Sequence, residues 1–178
     1  MGHLYFVRHG QTVWNVENKI CGSTESPLTE LGHQQAIATA EKIRDEGLHI
    51  DQILSSPLSR AYDTAKHIAE INGIPLRAEP RLTEQNFGKY EGTARDGAEF
   101  ARAKQDFINS YGDGETMLKL CHRIYSVLDE IIADPERVYL IAAHNGISRV
   151  VQSYFYDMTN EEYAAFGVPN AEILRNDF

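Results

Sequence analysis

The sequence predicts an α/β fold: a three-layer α/β/α sandwich on a mostly parallel central sheet, with a small helical and loop cap. Two short continuous apolar runs, Leu4-Tyr5-Phe6-Val7 and Val138-Tyr139-Leu140-Ile141-Ala142, read as strands buried on both faces. Segments with apolar residues every three or four positions read as amphipathic helices. The two patterns alternate along the chain, which is the order of a sheet covered on both sides. A length of 178 residues suits one domain, taken as 1–178 with a reduced cap from about 84–114.

The first strand, Leu4 to Val7, ends before Gly10. Thr29 can cap a helix over 30–46 that carries Ala36, Ile37, Ala40 and Ile43, with Gly47 as its stop. Gln52-Ile53-Leu54 forms a second strand, and Pro57 opens a helix with Tyr62, Ala65, Ile68 and Ala69 that ends at Asn72-Gly73. Leu76 to Leu82 reads as an extended strand. From Thr83 to Gly114, five glycines indicate loop, with one helical piece near 98–108. Met117, Leu120, Cys121, Ile124, Val127, Leu128 and Ile131 then step along one helix face. The Val138–Ala142 strand follows, then a helix carrying Ile147, Val150, Val151, Tyr154 and Phe155. Glu172-Ile173-Leu174 completes the order as an edge strand.

Composition narrows the function. Seventeen Lys and Arg against 26 Asp and Glu give a formal net charge of −9, which argues against a nucleic-acid or anionic-membrane binder. No apolar run approaches the roughly 20 residues of a membrane span. The opening Met1-Gly2-His3-Leu4-Tyr5-Phe6-Val7 lacks the features of a secretory signal, so a cytoplasmic protein is expected. Cys21 and Cys121 form no CxxC pair, and nothing has metal-ligand spacing. A few arginines focused in a cleft outweigh distant carboxylates, whose field salt screens over about 8–10 Å. An anionic small-molecule substrate therefore stays open.

In open α/β sheets, ligands bind beyond the carboxyl ends of the strands. Three of those ends are followed by Arg8-His9-Gly10-Gln11-Thr12, by Ser55-Ser56-Pro57-Leu58-Ser59-Arg60 and by Ala143-His144-Asn145-Gly146. Two arginines and two histidines on one rim are a poor core and a good oxyanion site. Arginine offers a planar, permanent charge to a phosphate, and helix N-termini add N–H donors. One histidine can then attack phosphorus while the other, as a cation, stabilises the equatorial oxygens. Arg60 in a first helical turn opposes the helix dipole, a local cost that suits a functional residue. A leaving alkoxide needs a proton, for which Glu84, Glu91, Asp113 and Glu115 compete.

Arg8-His9-Gly10-Gln11-Thr12 with Trp14-Asn15, Ser55-Ser56-Pro57-Leu58-Ser59-Arg60-Ala61, Glu84-x-x-Phe87-Gly88-x-Tyr90-Glu91-Gly92 and Ala143-His144 together resemble the histidine phosphatase superfamily. The likeness is to the branch with cofactor-dependent phosphoglycerate mutases and related small phosphatases, and it runs from Leu4 to about Tyr154. It implies that His9 is phosphorylated in turnover, that Arg8, Arg60 and His144 cradle the phosphoryl group, and that Glu84 gives and takes the proton. It further implies that Asn15 reaches the substrate phosphate, that Gln11 and Thr12 line the same loop, and that no metal or other cofactor is needed. Asn145 stands where many relatives carry glycine, so its side chain is expected to enter the pocket. Cys21-Gly22 falls where mutase relatives often place a small hydroxyl residue; Cys21 either lines the pocket or packs.

Cys121 is read as core, and His3, His33, His49, His67 and His122 as ordinary partly exposed residues. In mutases a long segment between the Glu84-like and second-histidine motifs closes over substrate and excludes water. Here only 59 residues separate Glu84 from His144, and a helix near 115–132 takes much of that span. The expectation is a phosphomonoesterase for a small phosphorylated metabolite, working through a phosphohistidine. The alternatives are a phosphoglycerate mutase and, from another class, a non-catalytic phospholigand-binding module. The helix at 147–155 suits either core or an interface between copies of the chain.

Overall fold

The computed structural model describes residues 2–178. Five strands form one sheet: β1 (His3–Arg8), β2 (Gln52–Ser55), β3 (Leu76–Ala78), β4 (Tyr139–Ala143) and β5 (Ile173–Asp177). Their spatial order is β3-β2-β4-β1-β5, parallel throughout except for antiparallel β5 at the edge. β4 thus enters between β1 and β2, both earlier in the chain, creating the switch point at which such sheets bind ligands. Register pairs Arg8 with Ala143 and Ser55 with Ala142, so the carboxyl ends of β1, β4 and β2 finish level with one another. That alignment brings the three motif-bearing junctions to one rim.

Among the described residues the helices are α1 (Val13–Val16), α2 (Glu30–Asp45), α3 (Ser59–Asn72), α4 (Ala98–Ala103), α5 (Met117–Ile132), α6 (Asn145–Phe155) and α7 (Asn160–Ala165). Strand side chains alternate between faces. Leu4, Phe6, Leu54 and Ile141 pack with Leu120, Ile124 and Leu128 of α5 and Ile147 and Val151 of α6. Tyr5, Val7, Ile53 and Leu140 face Ala40 and Ile43 of α2 and Ala65 and Ile68 of α3. A separate cluster of Ile20, Phe87, Tyr90, Phe100 and Tyr111 supports the cap. Cys121 is half-buried against the first cluster, as a packing residue.

Several boundaries differ from the sequence expectation. The strand expected over 76–82 stops at Ala78, because Pro80 lacks an N–H and the Glu79 carboxylate accepts from Arg81 N, closing a 3-10 turn over Pro80–Leu82. The helix expected near 98–108 ends at Ala103. Beyond it Asp106 accepts from Ile108 N and Asn109 from Tyr111 N, local bonds that compete with helix, and Ile108 has no core to enter. The second long helix begins at Ser59 with Leu58 as its cap, leaving Pro57 outside. Two helices escaped the periodicity because they are short. α1 rests on a capping box in which Thr12 accepts from Asn15 N and Asn15 Oδ1 accepts from Thr12 N. α7 rests on the same device between Thr159 and Glu162.

Candidate active site

β1 delivers His9 to the rim with 6 % of its surface exposed. Its Nδ1 lies 2.7 Å from the carbonyl of Gly10, a pairing that requires Nδ1 to carry the proton and donate. Nε2 is then an unprotonated lone pair. Burial, then the nearby Arg60 and Arg8 charges, hold this imidazole well below its ordinary value, so it is neutral at neutral pH. Thr64 accepts from Gly10 N at 3.1 Å and Asn170 donates to the His9 carbonyl at 2.9 Å, fixing the loop from both sides.

β4 delivers His144, fully buried, with its ring centroid 5.3 Å from that of His9. Its Nε2 is 2.7 Å from Ser56 Oγ at the end of β2. That hydroxyl accepts from Leu58 N at 3.3 Å and keeps a proton that it can donate to His144 Nε2. With Ser56 as the donor, the hydrogen of the neutral ring sits on Nδ1. Burial and the Arg60 charge keep His144 well below its ordinary value. The protein's own groups work against the cationic second histidine that was expected: burial and the Arg60 charge oppose a further positive charge beside Arg8 and Arg60.

Arg60 is 1 % exposed and donates to the carbonyls of Gly22 at 2.6 Å and Thr24 at 2.9 Å. Arg8 donates through Nη1 to Val168 O at 2.7 Å, and burial followed by Arg95 repulsion lowers it to about 10. Among the described residues, the buried side-chain nitrogens and oxygens left without a partner are Arg8 Nε, Arg60 Nε and His144 Nδ1. All three belong to one site around His9, and orphaned buried donors call for an acceptor. An oxyanion would satisfy them.

Of the four competing carboxylates, Glu84 is the one at the pocket. It accepts from Gln85 N at 2.8 Å and from Gly146 N at 2.9 Å in the first turn of α6. A Cβ on Gly146 would come within 2.3 Å of Glu84 Oε1, so only glycine permits this approach. Burial raises Glu84 above the ordinary carboxyl value, against the two backbone bonds that lower it. Glu91 is occupied instead in holding the N–H groups of Gly22, Ser23 and Phe87, and Glu115 forms a two-pronged pair with Arg123. Asp113 does not line the pocket.

The remaining expected residues divide. Asn15, Cys21 and Asn145 line the pocket with Arg8, His9 and Glu84, while Arg60 and His144 lie buried behind it. Asn145 also accepts from Val168 N at 2.9 Å, and burial pushes the Cys21 thiol up to about 11, so it stays protonated. Gln11, Thr12 and Gly22 stay out of the pocket lining. Gln11 is tied to Thr29 and Gln35 at the start of α2, Thr12 caps α1, and Gly22 is pressed between Glu91 and the Gln85 carbonyl. Sequence reasoning missed Ser56, Thr64, Asn170 and the pocket-lining Phe87, Arg95, Phe100, Lys104 and Arg149. Arg149 had a signal: it lies four residues after Asn145, on the same helix face. The cap residues had none, since their placement depends on irregular backbone.

Fold and site together define an α/β protein whose strand-end rim gathers unpartnered buried arginine nitrogens around an imidazole lone pair. The sequence profile of the histidine phosphatase superfamily (branch 1) matches residues 4–178, and the chain belongs to that superfamily. A probable phosphoglycerate mutase GpmB of Yersinia pestis (strain Pestoides F) is 37% identical over 142 residues, covering 76% of this chain and 65% of that relative. The chain thus spans just under two thirds of the length of the curated relatives it matches. A mycobacterial glucosyl-3-phosphoglycerate phosphatase in complex with VO3 superposes with a TM-score of 0.84 at 28% identity, over 98% of this chain and 92% of that one. The alpha-ribazole phosphatase of Shigella flexneri shares the fold, with a TM-score of 0.83 at 24% identity over 98% and 90% of the two chains.

Proposed function

We propose that this chain is a phosphomonoesterase that hydrolyses a small phosphorylated metabolite through a phosphohistidine on His9. The observation that carries the reading is the pairing of a neutral His9, its Nδ1 proton held by Gly10, with three unpartnered buried donors around it. Arg8, Arg60 and His144 would hold the nonbridging phosphoryl oxygens and offset the charge they carry in transfer. Nε2 attacks phosphorus, and the ester oxygen leaves with the proton of the Glu84 carboxyl. Glu84, now a carboxylate, accepts a proton from water as that water takes the phosphoryl group from His9. Inorganic phosphate and neutral His9 result, with Glu84 protonated again. Burial favours the protonated carboxyl that the first step needs.

Between Glu84 and α5 the cap holds only the 3-10 turn Gly88–Tyr90 and the short helix Ala98–Ala103, little structure from which to build a lid that excludes water. This supports hydrolysis. The likeness to a probable phosphoglycerate mutase favours transfer between phosphoglycerates as the second reading. A cytoplasmic setting and a reaction without a metal complete the proposal; no described helix is long and apolar enough to cross a membrane.

Rapid acid-stable quench fails here by design, because phosphohistidine is acid-labile; alkaline quench during turnover of a labelled aryl phosphate should trap phosphate on His9. His9→Ala should lose the trapped label and at least about a thousandfold in kcat, with chelators having no effect on the wild type. Full activity of His9→Ala would overturn the mechanism. Glu84→Gln should lose far more activity on alkyl phosphates than on p-nitrophenyl phosphate, whose leaving group needs no proton. Conversion of 3- to 2-phosphoglycerate without release of inorganic phosphate would favour the mutase.

A further inference from the structure

His9 has to be aimed, and the residue after it supplies no stiffness. Position 10 is glycine because a Cβ there would collide with Gly32 O, and glycine leaves its own backbone free to turn. Both ends of the His9–Gly10 peptide are nevertheless held from remote parts of the chain. Asn170 Nδ2 donates to the His9 carbonyl at 2.9 Å. At the other end Thr64 Oγ1, which itself donates to Arg60 O at 2.8 Å, accepts from Gly10 N at 3.1 Å. The next peptide is pinned likewise: Gln11 N donates to Gln35 Oε1 at 2.8 Å, and the Gly10 carbonyl receives His9 Nδ1.

Asn170 sits in a constrained turn between α7 and β5. Glu172 N closes the turn on Pro169 O at 3.2 Å, and Ala171 takes a φ of 58°, a left-handed backbone that is costly for a residue with a side chain. Ala171 keeps it because its N–H donates to Arg8 O at 3.0 Å and its carbonyl accepts from Thr39 Oγ1 at 2.7 Å. Strain held in place by such bonds points to a segment with a task. The same Asn170 amide donates to Asn15 Oδ1 at 3.3 Å, an oxygen that also accepts from Thr12 N at 3.0 Å. That leaves Asn15 Nδ2 for the pocket that Asn15 lines. One amide thus joins the backbone of His9 to a side chain of the pocket.

We propose that Asn170 and Thr64 are positioning residues that clamp the His9–Gly10 peptide at its two ends and so aim His9 Nε2 at phosphorus. The catalytic consequence rests on the phosphohistidine reading; the clamp itself stands outside the pocket lining, and neither residue is placed to touch a ligand there. The clamped peptide plane sets where the Gly10 carbonyl lies. That carbonyl holds the Nδ1 proton, and a ring held at Nδ1 presents Nε2 in one direction. With either end released, the plane can rotate about the bonds of Gly10 and the ring loses its anchor.

Thr64→Val, Asn170→Ala and the double variant test the clamp. The single-turnover rate of His9 phosphorylation, read by alkaline quench with an aryl phosphate, should fall about ten- to a hundredfold in each single variant. The half-saturating substrate concentration should change little, because Arg8, Arg60 and His144 remain. The double variant should be little slower than the slower single one, since both groups hold one peptide. In NMR of nitrogen-labelled histidine at neutral pH, the Nδ1–H signal that disappears in His9→Ala should be sharp in the wild type. In the variants that proton should be averaged between the two ring nitrogens. Thr64→Ser, which keeps the hydroxyl, should recover most of the rate and the signal. Thr64 is fully buried; should Thr64→Val not fold, the half-buried Asn170→Ala carries the rate and the signal by itself. A wild-type rate, an unchanged Nδ1 signal in a folded variant, or losses that multiply in the double variant would each overturn the proposal. Absence of phosphohistidine from the wild type would sink the phosphatase reading alone, and the Nδ1 signal would still decide the clamp.

Discussion

At the scale of single residues, the site works by assigning protons. Gly10 O holds the Nδ1 proton of His9 and leaves Nε2 a lone pair, and on the proposed mechanism Ser56 Oγ donates to His144 Nε2 so that Nδ1 is the donor, although both rings are the same chemical group. Ser56 is therefore a positioning residue on the proposed mechanism. Removing its hydroxyl frees His144 Nε2 to take the proton, which strips Nδ1 of its hydrogen. Ser56→Ala should lower kcat about tenfold with little change in KM and shift the acid limb of the pH–rate profile. An unchanged profile would assign Ser56 to packing alone. The residues that sequence motifs singled out fared according to side-chain reach. His9, Glu84 and Asn145 point where a motif suggests, while Gln11 and Thr12 turn their polar groups to α1 and α2, whose ends need them. Adjacent motif residues point in different directions, and spacing alone does not say which way.

Elements show why some local structure was legible and some was not. Long elements with a buried face, such as α5 and β4, declare themselves by periodicity, because every apolar position has the same reason to be there. Short elements have no period to show. α7 has six residues and depends on its Thr159–Glu162 capping box, while Tyr163 reaches the core behind it. Thr159→Ala should destabilise the protein by about 1 kcal/mol, read as a lower urea midpoint at unchanged m-value. No shift in midpoint would mean that Tyr163 packing alone holds the helix. The truncated β3 and α4 teach the same lesson from the other side. Pro80, which has no N–H, and single hydrogen bonds accepted by Glu79, Asp106 and Asn109 ended them, and hydrophobic pattern registers none of these.

For the whole molecule, burying histidines ties stability to pH. His9 and His144 are held below their ordinary value chiefly by burial, and so is His67, which pairs with His33 at 3.0 Å between α2 and α3. A folded value below the unfolded one means that stability is present above about pH 6.5 and is lost as pH falls toward the folded value. Glu84 acts with the opposite sign, since its raised value costs stability as pH rises through it. His67 lies outside the pocket and isolates the histidine contribution. Between pH 7.5 and 5.5 the wild type should lose more Tm than His67→Gln does, and equal losses would remove His67 from this account.

The layered α/β architecture, the rim where β1, β2 and β4 end, and the four motifs could be read along the chain, because periodicity and strand-end chemistry are local properties. The motif implied Glu84, but its contact with Gly146 N, the burial of His144 against Ser56 and the gathering of Arg95, Lys104 and Arg149 could not be read there. Each depends on which backbone N–H, hydroxyl or charge lies across a gap of tens of residues, as when Gly146 N meets Glu84 and Ser56 meets His144. Such encounters are set by the register of β4 between β1 and β2, and that register exists only once the sheet has formed.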